Sequence, residues 1–196
     1  MRPDKLPTWL DMAPVLSVIT DDNLPLELLV LKCHLVIEVQ LYHILSVRLN
    51  IEREHLPSLQ YFPLTKLALG GSAYSHLLGK ALALNDLRNQ FGHELDPQKI
   101  EAAFASFVPK TGFFWPESDP FNRPMEFAAV RDAAIRAAVS GCVGEVFCTF
   151  VDIASASGAF PADEGEAARQ VAEQIREVLH ESRAKQAAVR EIVARK

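Results

Sequence analysis

Apolar residues recur along this chain at intervals of three and four, and no stretch alternates apolar with polar positions as a half-buried strand would. That spacing predicts helices. From Leu26 to about Leu49 apolar side chains occupy nearly every face, the pattern of a helix surrounded by others. Asp21, Asp22 and Asn23 offer capping oxygens ahead of Pro25, which a first helical turn tolerates because its amide has no intrahelical partner. Pro57 and Pro63 break residues 50 to 62, and 64 to 71 is expected as a short apolar helix ending at Gly70-Gly71, where glycine accepts positive φ. A longer helix is expected from Ser72 to Phe91, with Leu77, Leu78, Ala81, Leu84, Leu87 and Phe91 toward the core and Gly92 as its C-cap. Asp96-Pro97 opens the next, Gln98 to Phe107.

Residues 108 to 125 hold Pro109, Pro116, Pro120 and Pro124 among Phe113, Phe114, Trp115 and Phe121. We expect a long irregular segment pinned over the bundle by its own aromatic rings; a lid or base-stacking surface is the functional alternative. Glu126 to about Ser157 is again helical, with Val139, Val143, Val146, Phe147 and Phe150 on one side, and completes a four-helix arrangement. A last helix, about 161 to 195, starts near Asp163, Glu164 and Glu166 and ends near Arg190, Arg195 and Lys196, an order that suits the helix dipole. Its apolar stripe is too irregular for a long coiled coil, so it is expected to pack on the bundle or on a partner chain. The fold class is therefore all-α, an up-and-down helical bundle with a C-terminal helical extension. Residues 1–196 read as a single domain with its core at about 24–157.

Composition adjusts this picture only at the edges. With 49% hydrophobic residues in 196 the chain fills a sizeable core. A formal charge of -5 argues against a broad, sequence-blind phosphate-binding surface, leaving room for a small local phosphate site. The three cysteines, Cys33, Cys142 and Cys148, lie in apolar stretches with no C-x-x-C pair, as reduced core residues of a cytosolic protein do. Met1 opens a polar, proline-containing start without an apolar h-region, so no signal peptide is expected. Glu27, Lys32, His34, Glu38, Gln40 and His43 interrupt the most apolar stretch too often for a bilayer span. A cytoplasmic protein with no membrane partner is the expectation.

Candidate chemistry gathers in Asn85-Asp86-Leu87-Arg88-Asn89-Gln90-Phe91-Gly92-His93. A fixed cation, an amide and the side chain that titrates near neutral pH can together bind a phosphodiester, neutralise its transition state and move its protons. Five residues along a continuous helix turn a side chain about 140° round the axis, so Arg88 and His93 diverge unless the helix stops at Gly92. Stopping there would free His93 to turn toward the arginine or toward a second subunit. Asp86, Glu94 and Asp96 surround the motif, so Arg88 could instead pair with Asp86 or Glu38 while His93 caps the helix end. His34 and Glu38 share a helix face and read either as a satisfied polar pair or as groups orienting Arg88 or His93 from across the bundle. They do not make a metal set by spacing, and no metal or cofactor is expected.

Arg88, Asn89 and His93 resemble the R-N-x-x-x-H form of the R-x4-6-H signature of HEPN domains, small helical bundles of prokaryotic toxins and RNA-targeting defence proteins. The leading Leu87-Arg88-Asn89, the Phe91 before Gly92 and the helix-end position carry the likeness, which extends over about 24 to 157. The resemblance implies a metal-independent endoribonuclease in which the RNA 2′-hydroxyl attacks the adjacent phosphorus and leaves a cyclic phosphate. On that reading His93 is the general acid or base, Arg88 clamps the phosphate and Asn89 positions the scissile group or the histidine. It also implies a homodimer, whose two motifs together supply separate acid and base, and an antitoxin as possible partner. A second resemblance is to the mannitol-operon regulators, which share an apolar helix with an internal glutamate and an L-R-x-x-x-x-H-like helix end. That likeness implies a non-enzymatic transcriptional or metabolic regulator working through protein partners, since no basic recognition helix is evident.

Overall fold

The computed structural model describes residues 24–71, 74–93, 96–116, 124–160 and 162–194, with side chains at 92, 93, 124–126, 162, 163, 189 and 192–194 left aside. The Asp21 to Asn23 cap, the start at Met1, Glu94 and Phe121 lie outside the described residues. Among these residues there are six α-helices and no strand: α1 (Leu26–Leu49), α2 (Tyr61–Leu69), α3 (Ser75–His93), α4 (Pro97–Lys110), α5 (Pro124–Ala156) and α6 (Ala162–Ala194), with a single 3-10 turn at Arg53–His55. The all-helical bundle expected from the spacing is thus the observed fold.

Helix α1 begins at Pro25, which stands at the N-cap itself, and its 24 residues end at Asn50. Asn50 sits at φ 52, a left-handed conformation that asparagine tolerates better than most residues. Ser46 Oγ then donates to the Ile51 carbonyl at 2.6 Å, and the Tyr42 hydroxyl accepts from the Leu59 amide at 2.7 Å. These bonds stitch the connection back along α1. The short helix starts three residues before its expected position, at Tyr61, because Pro63 falls in its first turn, where proline costs no hydrogen bond. Its last carbonyls, Leu67 and Ala68, accept from Arg48 Nη1 at 3.4 and 2.6 Å.

One hydrophobic core joins all six helices, with Ile37, Leu41, Leu64, Leu84, Phe107, Phe147 and Phe150 fully buried. The most extensive packing lies between α1 and α5, followed by α5 and α6. By length and apolarity alone α1 and α5 could cross a bilayer, yet 56% and 72% of those stretches are buried inside the bundle, as core helices are. The expected C-terminal extension is part of this core: Ala168, Ala172 and Ile175 of α6 are buried. It approaches α5 closely at Gly144, where an added Cβ would lie 2.8 Å from Ile175 Cγ2.

Within α1 one buried group is at odds with its surroundings. Gln40 is 1% exposed and, among the described residues, neither its amide nitrogen nor its amide oxygen has a hydrogen-bond partner. An unpaired buried polar group costs about 1–3 kcal/mol. Gln40→Leu is therefore expected to raise stability by about 1–3 kcal/mol in urea denaturation, and a loss of stability would show that the amide is satisfied in solution.

Candidate functional site

Helix α3 carries the candidate motif on its last turns. The C-cap expected at Gly92 is not formed: the helix runs on through Gly92 to His93. The Phe91 ring lies edge-on to Phe104 at 5.6 Å, an anchor to α4 just where the glycine would otherwise release the chain. Arg88 and His93 therefore stand five residues apart on one continuous helix. Arg88 and Asn89 are both half-buried, and Arg88 Nη1 donates to Asn89 Oδ1 at 3.0 Å. Neither Asp86 nor Glu38 pairs with Arg88, which meets no carboxylate among the described residues. The His93 side chain lies outside what is described, so the structure joins Arg88 with Asn89 and leaves the third member of the motif open.

The other polar group on this face comes from α1 and α2. His34, 7% exposed, places Nε2 3.0 Å from Asn85 Oδ1, and its ring stacks on Tyr61 at 4.2 Å and 25°. Tyr61 in turn donates to the Ala81 carbonyl at 3.2 Å. Asn85 lies one turn before Arg88 and Asn89, so three helices meet behind the motif. His34 pairs with Asn85 and Tyr61 rather than with Glu38. Asn85 stands three residues before Arg88, a visible helical signal; Tyr61 carried none, because only the return of the chain along α1 brings it there.

Burial pushes the His34 imidazole below its ordinary value of 6.5, with the Arg88 charge adding to that and Asn85 and Glu38 opposing it. A histidine whose folded pKa is depressed binds fewer protons than the unfolded chain, so stability falls as pH drops below about 6.5. His34→Gln is expected to flatten the pH dependence of the melting temperature below that pH, and an unchanged slope would place its origin elsewhere.

Of the described aromatic residues after α4, two are packed down as a pinned segment requires, while Phe114 is half-exposed. Phe113 and Trp115 are buried, and Arg131 lies over the Trp115 and Phe127 rings at 4.8 and 4.4 Å while donating to the Pro116 carbonyl at 2.9 Å and pairing with Glu101. All three cysteines are buried and free. Burial raises the Cys142 thiol to about 12 and Cys148 to about 11, and pushes Cys33 higher still, which removes them as nucleophiles or metal ligands near neutral pH.

A cavity of about 490 Å³ opens beside the start of α3, between Tyr74, His76, Asp152, Arg176, His180 and Arg183. Its charges are spent on one another: Glu145 holds Lys80 at 2.6 Å and also Arg183, and Asp152 holds Arg176 at 2.6 Å. That network ties α3, α5 and α6 together and leaves Arg88 as the better-placed cation for an incoming anion.

No protein-family model, curated protein or solved structure matches the chain.

Proposed function

We propose that the protein is a metal-independent endoribonuclease of the HEPN type, acting through Arg88, Asn89 and His93 at a homodimer interface in the cytoplasm. The observation that carries this reading is Arg88 itself, held by Asn89 on a half-exposed helix end and paired with no carboxylate among the described residues. Buried or structural arginines are ordinarily neutralised, and here the guanidinium fork stays free to take two phosphate oxygens.

In the proposed reaction the RNA 2′-oxygen forms a bond to the adjacent phosphorus as the bond to the 5′-oxygen breaks. One His93 takes the 2′-hydroxyl proton and a second His93 delivers a proton to the departing 5′-oxygen. Arg88 holds the charge that gathers on the non-bridging oxygens, and Asn89 fixes the guanidinium. The products are a 2′,3′-cyclic phosphate and a 5′-hydroxyl. The reading sets the Arg88 of one subunit beside the His93 of the other. Leu28, Leu31 and Leu35, exposed by 40%, 38% and 60% on one face of α1, supply apolar surface for such an association.

The same leucines support a second reading, a regulator resembling the mannitol-operon family that holds a protein partner, such as an antitoxin or a regulatory protein, through this face. Incubating the purified chain with structured and single-stranded RNA in excess EDTA separates the two. Cleavage leaving cyclic-phosphate ends supports the nuclease; intact RNA under every condition supports the regulator.

A further inference from the structure

Two points of α3, one turn apart, are gripped by a single pair of rings. The Tyr61 hydroxyl donates to the Ala81 carbonyl at 3.2 Å, and His34 Nε2 donates to Asn85 Oδ1 at 3.0 Å. The rings are stacked on each other at 4.2 Å, so α1 and α2 hold α3 through one unit. Positions 81, 85, 88 and 89 share a face of α3, since residues three and four apart are helical neighbours. Three residues beyond Arg88, the Phe91 ring rests against Phe104 of α4. The turn that carries Arg88 and Asn89 therefore lies between two anchors, a directional one at Asn85 and an apolar one at Phe91.

The choice of a buried histidine for the first anchor has a physical reason. Apolar contacts between α1 and α3 hold the helices together but tolerate rotation, because the hydrophobic effect is non-directional. A hydrogen bond does not, since it weakens steeply as its angle falls below about 120°. A slip of one residue would swing Asn85 about 100° round the helix axis, breaking its bond to His34 and turning Arg88 by the same angle. The Arg88 charge also reaches the imidazole, where it adds to burial in holding His34 below its ordinary value of 6.5, against the opposing pull of Asn85 and Glu38. Tyr61, the titratable group that faces the ring from α2, is kept protonated by its own burial. His34 is thus neutral near pH 7, with Nε2–H committed to Asn85.

We propose that His34 is a positioning residue of the candidate site: through its bond to Asn85 it fixes the rotation of α3 that presents the Arg88 guanidinium and the Asn89 amide to a phosphate. His34 itself touches no substrate. The inference rests on the ribonuclease reading for what Arg88 receives, and on the contacts of His34, Asn85 and Tyr61 for how Arg88 is held.

Two variants of the full chain separate positioning from packing. His34→Gln keeps an N–H donor for Asn85, whereas His34→Leu keeps bulk without a donor. His34→Leu is expected to lower kcat for RNA cleavage by about 10²-fold with KM little changed, the scale of a small misplacement of a group that acts in the transition state. His34→Gln is expected to keep most of the parental rate, and equal rates in the two variants, high or low, overturn the proposal. The Arg88 Nε–H resonance gives a readout independent of cleavage: it is expected at the parental position in His34→Gln and displaced in His34→Leu, with circular-dichroism melts to show that both are folded. Arg88→Ala is in turn expected to move the His34 ring titration upward, because it removes a charge that lowers it. An unmoved titration overturns the placement even where His34→Leu does not fold. A displaced resonance in a chain that cleaves no RNA leaves His34 positioning an anion site and removes the nuclease. Parental cleavage by His34→Leu leaves the nuclease and removes the positioning role.

Discussion

Arg88→Ala is expected to lower EDTA-resistant RNA cleavage by about 10²- to 10³-fold while leaving the circular-dichroism spectrum and the melting temperature close to those of the parent. The size follows from removing one preorganised group that meets the developing charge on phosphorus. Structural cost is small because the guanidinium's partner is the neighbouring Asn89, and the core contacts of this turn belong to Leu84 and Leu87. His93→Ala is expected to cost about 10²- to 10⁴-fold. The double variant should fall no further than the worse single one, since groups that act in one transition state are not additive. Arg88→Lys keeps the charge and loses the fork, so partial activity is expected there. Mixing the two inactive single variants adds a sharper measurement: a heterodimer of Arg88→Ala with His93→Ala holds one Arg88 and one His93, so it lacks the second histidine that the reaction needs. No recovery on mixing is the expected result; recovery of a large part of the parental rate would overturn the two-histidine division of acid and base.

Glu145→Ala is expected to be the most destabilising single polar substitution in the bundle. Its carboxylate, 15% exposed, sits between Lys80 of α3 and Arg183 of α6, and removal leaves two cations facing each other without their counter-charge. Breaking a buried pair by deleting one partner costs about 3–5 kcal/mol, and the partial exposure of Arg183 brings the expectation to roughly 2–4 kcal/mol. For a chain of this size that corresponds to a fall of roughly 10 °C in melting temperature. Replacing all three side chains by methionine should recover most of the loss, because the cost lies in the unpaired charge. A calorimetric scan in which Glu145→Ala melts within about 2 °C of the parent would mean that solvent reaches the network freely.

The helices were legible where local chemistry sets them. Leu26 to Leu49 is the observed α1, since a run of apolar residues without glycine or proline leaves the backbone one regular choice, and Asp96 caps α4 with a 2.9 Å bond to the Gln98 amide. Errors fell on prolines and glycines whose effect depends on neighbours. The helix expected to end at Phe107 continues as α4 to Lys110, into the segment expected to be irregular, and Pro109 still offers its carbonyl to Gly112. Gly92 was read as a stop and is helical. Of the site, Arg88 and Asn89 were visible as residue types at a helix end. The stack of His34 on Tyr61 was not, because it depends on which distant residues the fold brings alongside.

The dominance of the α1 to α5 contact has a consequence for how the protein is made. His43 and Phe150, whose rings lie 5.7 Å apart in the core, are separated by 107 positions in the chain. At about 5–20 residues per second the ribosome needs roughly 5–20 s to supply Phe150 after His43. Throughout that interval α1, apolar on nearly every side, has, among the described helices, just α2 and α3 to lean on. Synthesis therefore exposes a long hydrophobic helix to the crowded cell before its main partner exists, and the newborn chain is expected to depend on chaperone holding until α5 has emerged.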